Sequence, residues 1–570
     1  MLPLMLPAQR YDSISIVCPG QFTAGRVIPI ECRFYNHNHA VFIDTIIRIS
    51  VNNELVQDVN IRKGVGSLAL QTNQQADILL EVDGTIFSKS VLFAENNFIS
   101  LAGNIGQNLT LEEDVCYHIT GDLNIEGGFR LTIEPGARVY IAENANIHVT
   151  GQVFCQGNSE KPILFSSLET GKFWGGLIIE NSADTSFFKH TFFAEGGGDP
   201  TQVFGHSQSQ AVVKAANTAV VFEACCFIDN TGKALGALNS TMKITRCLIS
   251  RCDTGGEFYA SSIAADSCHI LFMPDADGLA NDDDNDAWYF SETHLTETTS
   301  TIKNSFFISG EDDGIDHNGA NLQIENTWVE GFLHEGIACS NKNSVLIYNS
   351  VVTGCGQGIE CGYGNPHVEA NHCLIMANGT GARFGDEYTL ASEGKFQINN
   401  TVFFNNTDNL LNFDPQLQGP VGDSLSAHYS ITNDPDFDNL NHCLAAVPIF
   451  NTDLTLHADS PGAFAANDGL NMGLVFAFLF TRPISQSVQL KIYPNPAQEE
   501  IYVVLPPAVS GYFDIILYNT SIQPVQIWPE TFFSDGNEAT IRLKATVPGM
   551  YFLCVQSAGT VYVQKILIYD

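Results

Sequence analysis

A short phrase ending in glycine recurs through the middle of this chain, and nothing else in the sequence constrains the fold as tightly. It reads Asn230-Thr231-Gly232, Asp253-Thr254-Gly255, Ala276-Asp277-Gly278, Asp312-Asp313-Gly314, His334-Glu335-Gly336, Gln357-Gly358 and Gly379-Thr380-Gly381. Successive glycines stand 23, 23, 36, 22, 22 and 23 residues apart. A small residue followed by mostly apolar ones precedes each: Cys226, Cys247, Cys268, Ser305, Thr327, Ser350 and Cys373, at steps of 21, 21, 37, 22, 23 and 23. Both rulers stretch at one place, so one repeat carries an insertion of about 14 residues, 36 less 22. Self-similarity at this period marks a solenoid.

Each repeat holds short runs such as Ile324-Glu325-Asn326-Thr327-Trp328-Val329 and Ile347-Tyr348-Asn349-Ser350-Val351-Val352. Apolar and polar residues tend to alternate in them, the period of a half-buried strand. Gly, Asn and Asp fall between the runs, where turns need positive φ or side-chain bonds to the backbone. No long helical period occurs, and the Leu-rich consensus of leucine-rich repeats is missing. One repeat cannot bury its own apolar face, but stacking can, with strands about 4.8 Å apart. Equivalent residues then form ladders, and Ile315, Ile337 and Ile359 are expected to stack inside.

Upstream lies Leu131-Thr132-Ile133-Glu134-Pro135-Gly136-Ala137-Arg138-Val139, followed by Val149-Thr150-Gly151 and Pro162-Ile163-Leu164-Phe165. Asp459-Ser460-Pro461-Gly462 and Asn467-Asp468-Gly469 come near the end of the pattern. Residues 99–475 so marked resemble the right-handed parallel β-helix proteins, the superfamily of pectate lyases and polygalacturonases. The resemblance implies an all-β fold, with the last two motifs as a closing coil. It speaks to fold far more than to activity, because one fold hosts many functions.

The chain is acidic, with 63 Asp+Glu against 26 Lys+Arg and a formal net charge of −37. Nucleic acid is not an expected partner, since phosphate binding needs clustered cations. Divalent cations suit this field, although charge also serves solubility alone. No run of apolar residues is long enough for a spanning helix. Residues 1–10 are mostly apolar and read as a remnant of a signal peptide. The cysteines number 15, so they cannot all pair within one chain. Cys226, Cys247, Cys268 and Cys373 read as a ladder of small buried thiols. Cys18 and Cys32 are candidates for a disulfide. His317, Cys339 and Cys361 align in the repeat, either as a metal site or as a core ladder with one hydrogen-bonded histidine.

Residues 11–98 leave the repeat. Alternating runs such as Ile46-Ile47-Arg48-Ile49-Ser50-Val51 predict an N-terminal immunoglobulin-like β-sandwich, with Asn52-Asn53 as a hairpin turn. Partner binding and capping of the open solenoid end are both open to it. Residues 476–486 read as a linker. Residues 487–570 contain Ile492-Tyr493-Pro494-Asn495-Pro496-Ala497, Phe513-Asp514-Ile515-Ile516-Leu517-Tyr518-Asn519, Pro548-Gly549-Met550-Tyr551-Phe552-Leu553 and Val563-Gln564-Lys565-Ile566-Leu567-Ile568. This segment resembles the C-terminal sorting domain of the type IX secretion system of Bacteroidetes. The resemblance implies a C-terminal β-sandwich, handling by the type IX machinery, and a place outside the cell or on the outer-membrane surface. The final Tyr569-Asp570 departs from the commoner basic ending.

Chemistry concentrates at the insertion. Asp275, Asp277, Asp282, Asp283, Asp284 and Asp286 cluster there, and Glu311, Asp312, Asp313, Asp316, His334 and Glu335 follow in the next two repeats. The glycine ruler places Asp277, Asp313 and Glu335 in one column continued by Gln357. Carboxylates stacked this way repel unless a proton or cation relieves them. Hard oxygen donors in such numbers suit Ca²⁺, and Asp275, Asp277, Asp282, Asp284, Asp313, Asp316 and Glu335 are the candidate ligands. A solvated acidic loop is the plain alternative. The expected function is a secreted or surface β-helix presenting an acidic, calcium-binding face for glycan binding, adhesion or surface assembly.

The alternative is a polysaccharide hydrolase or uronate lyase. Asp312-Asp313 and the turn bearing His334 are similar to the catalytic segments of polygalacturonase-type hydrolases, which implies Asp312, Asp313 and His334 as catalytic groups. The substrate clamp of that family has no counterpart on the following coil, where Gly358-Ile359-Glu360-Cys361 stands. Among Lys303, Lys342, Arg383 and Lys395, no motif marks a lyase base.

Overall fold

The computed structural model describes residues 11–36, 39–52, 54–73, 75–82, 84–94, 97–274, 285–292, 298–385, 391–412, 424–434 and 440–475, and, near the C-terminus, 491–494, 497–498, 500–504, 511–518, 524–533, 538–543, 548–557 and 560–568. The chain forms two compact units. One holds Ser15–Arg33 and Ile43–Phe478, and the other contains Leu479–Asp570.

From Phe98 onward the strands form stacked coils, each contributing to three parallel ladders. A representative coil runs Leu322–Glu325, Trp328–Phe332 and Glu335–Ser340, and the next runs Ser344–Tyr348, Val351–Thr353 and Gln357–Cys361. Each strand pairs in parallel with its counterpart one coil later. This is a parallel β-helix. Ile315, Ile337 and Ile359 stack in its core with no solvent exposure, as their spacing predicts.

Both repeat signals have a physical origin that differs in part from the sequence reading. The glycines do not serve positive φ. A Cβ on Gly314 would lie 2.6 Å from the Gly336 carbonyl oxygen, one on Gly336 2.8 Å from that of Gly358, and one on Gly358 2.4 Å from that of Gly381. Close coil-to-coil approach excludes a side chain. Positive φ falls instead at another corner, on Asn304, Asn326, Asn349 and Asn400, and on Ala224, Arg246, Ser267 and His372. Asparagine tolerates that conformation best among non-glycine residues. Asn326 donates to Asn304 and Asn349 to Asn326, so their amides form a short ladder. The small residue after each corner turns inward. Cys268 N–H donates to Ser305 Oγ, Thr327 N–H to Ser350 Oγ and Cys373 N–H to Thr401 Oγ1.

The register corrects two sequence alignments. Cys226 pairs with Leu248, so Cys225 is the ladder neighbour of Cys247. Glu257 pairs with Tyr289 and Trp288 with Ile315, so Ala287 occupies the slot that Gly278 was expected to fill. Gly255 meets the Ala287 carbonyl oxygen at 2.2 Å from a built Cβ, which fixes the same alignment. Fourteen cysteines are free thiols and all but Cys443 are buried. Cys18 and Cys32 are among them, and burial pushes the Cys18 thiol up to about 12. His317, Cys339 and Cys361 are fully buried. His317 Nε2 lies 2.5 Å from the Ala320 carbonyl, and burial depresses the ring to about 4, which fits a core ladder.

In the N-terminal region Val27–Asn36 pairs with Val65–Gln71, and a second sheet joins Thr45–Val51, Glu54–Ile61, Ala76–Val82 and Thr85–Ala94. Val51 pairs with Glu54 and Asn52 has a φ of 52°, the hairpin expected there. These strands lie along the flank of the solenoid. Gln21 meets Arg138, Ser67 meets Arg251, and Glu330 receives both Arg62 and Lys63. The outward row Leu164, Phe192, Cys226, Leu248, His269, Phe306 and Trp328 is buried for this reason. The closing segment also turns back along the coils. Asp468 bonds His372 at 2.9 Å, and Val475 N–H donates to Asn349 Oδ1.

In the second unit, Lys491–Tyr493, Glu500–Val504 and Glu538–Arg542 form one antiparallel sheet. Gly511–Tyr518, Pro524–Phe533, Gly549–Ser557 and Thr560–Ile568 form another. Ile501, Val503, Ile515, Leu517, Leu553 and Val555 share one apolar core.

Candidate functional site

Two polar columns run along one ladder of the solenoid. The pairing Trp288–Ile315–Ile337 places Asp286, Asp313 and Glu335 in the first, and Glu335 pairs with Gln357. The second reads Glu257, Tyr289, Asp316, Ala338, Glu360 and Arg383. Alternation along each strand turns the second column outward while Ile315, Ile337 and Ile359 face the core; the first column stands two residues before those core positions, where the chain turns into the strand.

Asp286, Asp312, Asp313 and Glu335 are nonetheless buried. His334 Nδ1 lies 3.3 Å from Asp312 Oδ1, 3.4 Å from Asp313 Oδ1 and 2.5 Å from Glu335 Oε2. Asp313 Oδ1 also accepts the Glu335 N–H at 2.8 Å. Gln357 donates to Glu335, and Arg383 donates to Gln357 Oε1 at 3.1 Å. Arg383 Nη1 stands 3.6 Å from Glu360.

Burial raises Asp286 well above the ordinary carboxyl range, and the charges of Asp316, Asp312, Asp313 and Glu257 raise it further. Burial and the charges of Asp313 and Glu360 likewise raise Glu335. Burial works against a charge on His334, but its hydrogen bonds to Asp312, Asp313 and Glu335 outweigh it and hold the ring protonated. The recess therefore gathers buried carboxyls whose charges raise one another. It can hold a hard cation or keep a carboxyl protonated for acid catalysis.

Among the described residues, Asp286, Asp313 and Asp316 bring ligand oxygens within 4.8 Å of one another, and Asp312, Asp313 and His334 do the same. Oxygens around one Ca²⁺ at about 2.3–2.6 Å lie no farther apart than about 5 Å, so the first group is the one that could hold such an ion. The candidate ligands Asp275, Asp277, Asp282 and Asp284 lie outside the described residues. Asp286 is the residue that the register sets against Asp313.

Sequence reasoning named Asp316 as a ligand but missed the column it belongs to. Glu257, Asp316, Glu360 and Arg383 each stand two residues after a repeat glycine, so the same ruler read two places on finds them. It also missed the ion pair of Lys233 and Glu257, 2.5 Å apart and buried. That signal was hidden because Gly232 is out of register with Gly255: Leu235 pairs with Gly256.

Residues 103–199 match the pectate-lyase-like β-helix domain family, and residues 491–569 match the secretion system C-terminal sorting domain. No curated protein matches the chain at a significant level. Among solved structures, a periplasmic alginate epimerase is similar at 8% identity and TM-score 0.35, over 55% of this chain and 84% of that one. A pectate lyase is similar at 14% identity and TM-score 0.29, over 60% and 84%. The catalytic domain of an α-1,3-glucanase is similar at 10% identity and TM-score 0.29, over 71% and 90%. Those substrates belong to those proteins. Among the described residues no helix is long and apolar enough to cross a membrane. The chain thus joins a pectate-lyase-like parallel β-helix to a type IX secretion sorting domain, and it is a protein exported to the cell surface or the extracellular space.

Proposed function

We propose that this exported β-helix holds Ca²⁺ between Asp286, Asp313 and Asp316 and uses the surrounding face to engage polysaccharide at or beyond the cell surface. The observation that carries the cation is the convergence of three carboxylates within 4.8 Å in a recess that raises Asp286. A bound cation relieves that repulsion and can bridge to sugar oxygens or to anionic groups on a glycan. The test is calorimetric titration of the metal-free protein with Ca²⁺, then a glycan array with and without the ion. Absence of a calcium isotherm removes the metal, and a blank array removes the glycan.

A second reading is a polysaccharide hydrolase or lyase, favoured by Asp312 and Asp313 meeting one nitrogen of His334. In a hydrolase one carboxyl protonates the leaving oxygen while another activates water. For a lyase, Arg383 supplies a cation in the second column. Release of reducing ends, or of unsaturated products absorbing in the ultraviolet, separates enzyme from binder.

A further inference from the structure

The same face carries a feature that the acid cluster does not use. Between Thr191–Ala194 and Ser209–Ala216 the chain leaves the coil, and Val203 and Phe204 pair antiparallel with Gln210 and Ser209. The tip of this hairpin lies down over later coils. Glu257 accepts from His206 N–H at 2.6 Å, Ser207 N–H at 3.0 Å, Ser207 Oγ at 2.8 Å and Lys233 Nζ at 2.5 Å. Lys233 also donates to the Phe204 carbonyl. A Cβ at Gly205 would sit 1.7 Å from Glu257 Oε2, so the tip has no slack. Lys233 and Glu257 are 0% and 1% exposed. A buried ion pair is seldom a net source of stability, and this one pins the hairpin in place.

Two rings seat the tip. Phe204 meets Tyr259 edge to face at 5.4 Å, and His206 lies flat on Tyr289 with centroids 5.0 Å apart and planes 11° apart. Tyr289 is the strand partner of Asp316. The tip therefore rests on the coil that carries Asp286, which lies one strand spacing, about 4.8 Å, from the coil that carries Asp313 and Asp316. A polymer lying along the two columns and passing over Asp316 runs into His206.

We infer that the hairpin walls off the recess on this side, so that the site takes the end of a polysaccharide chain and not an internal stretch. This rests on the polysaccharide reading above. The side chains of His206 and Phe204 form the wall, and Lys233 with Glu257 holds it.

The test titrates the whole protein, with Ca²⁺ present, into polygalacturonate fractions of different mean length at equal sugar mass. Protein bound per gram is expected to follow the number of chain ends, highest for the shortest fraction. His206→Ala keeps the backbone amides on Glu257 and is expected to shift binding toward chain length. Long chains that bind several wild-type molecules each, with no dependence on ends, overturn the wall and leave the polysaccharide reading intact. An end-counting wild type with an unchanged variant overturns the role of His206. Failure of polygalacturonate, alginate and a neutral glucan to bind at all removes the polysaccharide reading, and this inference with it.

Discussion

Asp286 and Asp313 point carboxylate oxygens within 4.8 Å of each other from neighbouring coils, although Asp286 sits where the chain rejoins the stack after the insertion. Asp316 completes the group from the second column. Ca²⁺ binding there is expected to raise the melting temperature. At a calcium concentration about 100-fold above Kd the gain is about 2.7 kcal/mol. Asp286→Asn or Asp313→Asn is expected to remove most of it. A melting curve indifferent to calcium defeats the expectation.

The metal-free protein is expected to lose stability as pH rises. Folded Asp286 and Glu335 both hold their protons above the ordinary carboxyl range, so folding favours the protonated forms. That contribution is complete below about pH 4 and fades as pH climbs through the raised folded values. Calcium binds the ionised forms, so the gap between melting curves with and without it is expected to widen with pH. Parallel curves across the pH range count against this.

His269 has the opposite sign. Burial, followed by the charge of Arg33, depresses its pKa well below 6.5, and its ring lies on Phe306 with Nε2 3.3 Å from the Lys63 carbonyl. Its stabilising contribution is present above about 6.5 and is lost as pH falls below that value. Acid is therefore expected to loosen the N-terminal strands from the solenoid flank, read as faster amide exchange in residues 61–68. His269→Phe is expected to abolish the pH dependence of that exchange.

Ile337 stacks between Ile315 and Ile359 with no exposure. Ile337→Ala is expected to cost about 2–5 kcal/mol, the usual range for a buried aliphatic truncation. In a stacked solenoid the loss stays near its own coils, so exchange is expected to rise first in 315–361. Uniform loosening along the whole helix argues against nearest-neighbour stacking.

The chain's own letters determined the coil length, the inward Ile ladder and the export address, because each is written in short segments whose alternation and turns are local. They also marked Asp313, Asp316, His334 and Glu335, which sit on regular coils. What only the tertiary structure decided is where the chain rejoins the stack after the insertion. That depends on Trp288 filling the core slot beneath Ile315, a long-range packing event that no local period records. It brought Asp286 into the acid column. The flank docking of residues 15–98 and the hairpin over Tyr289 were hidden for the same reason: both are contacts between segments far apart in the chain, made by outward side chains whose burial shows only once the coils are stacked.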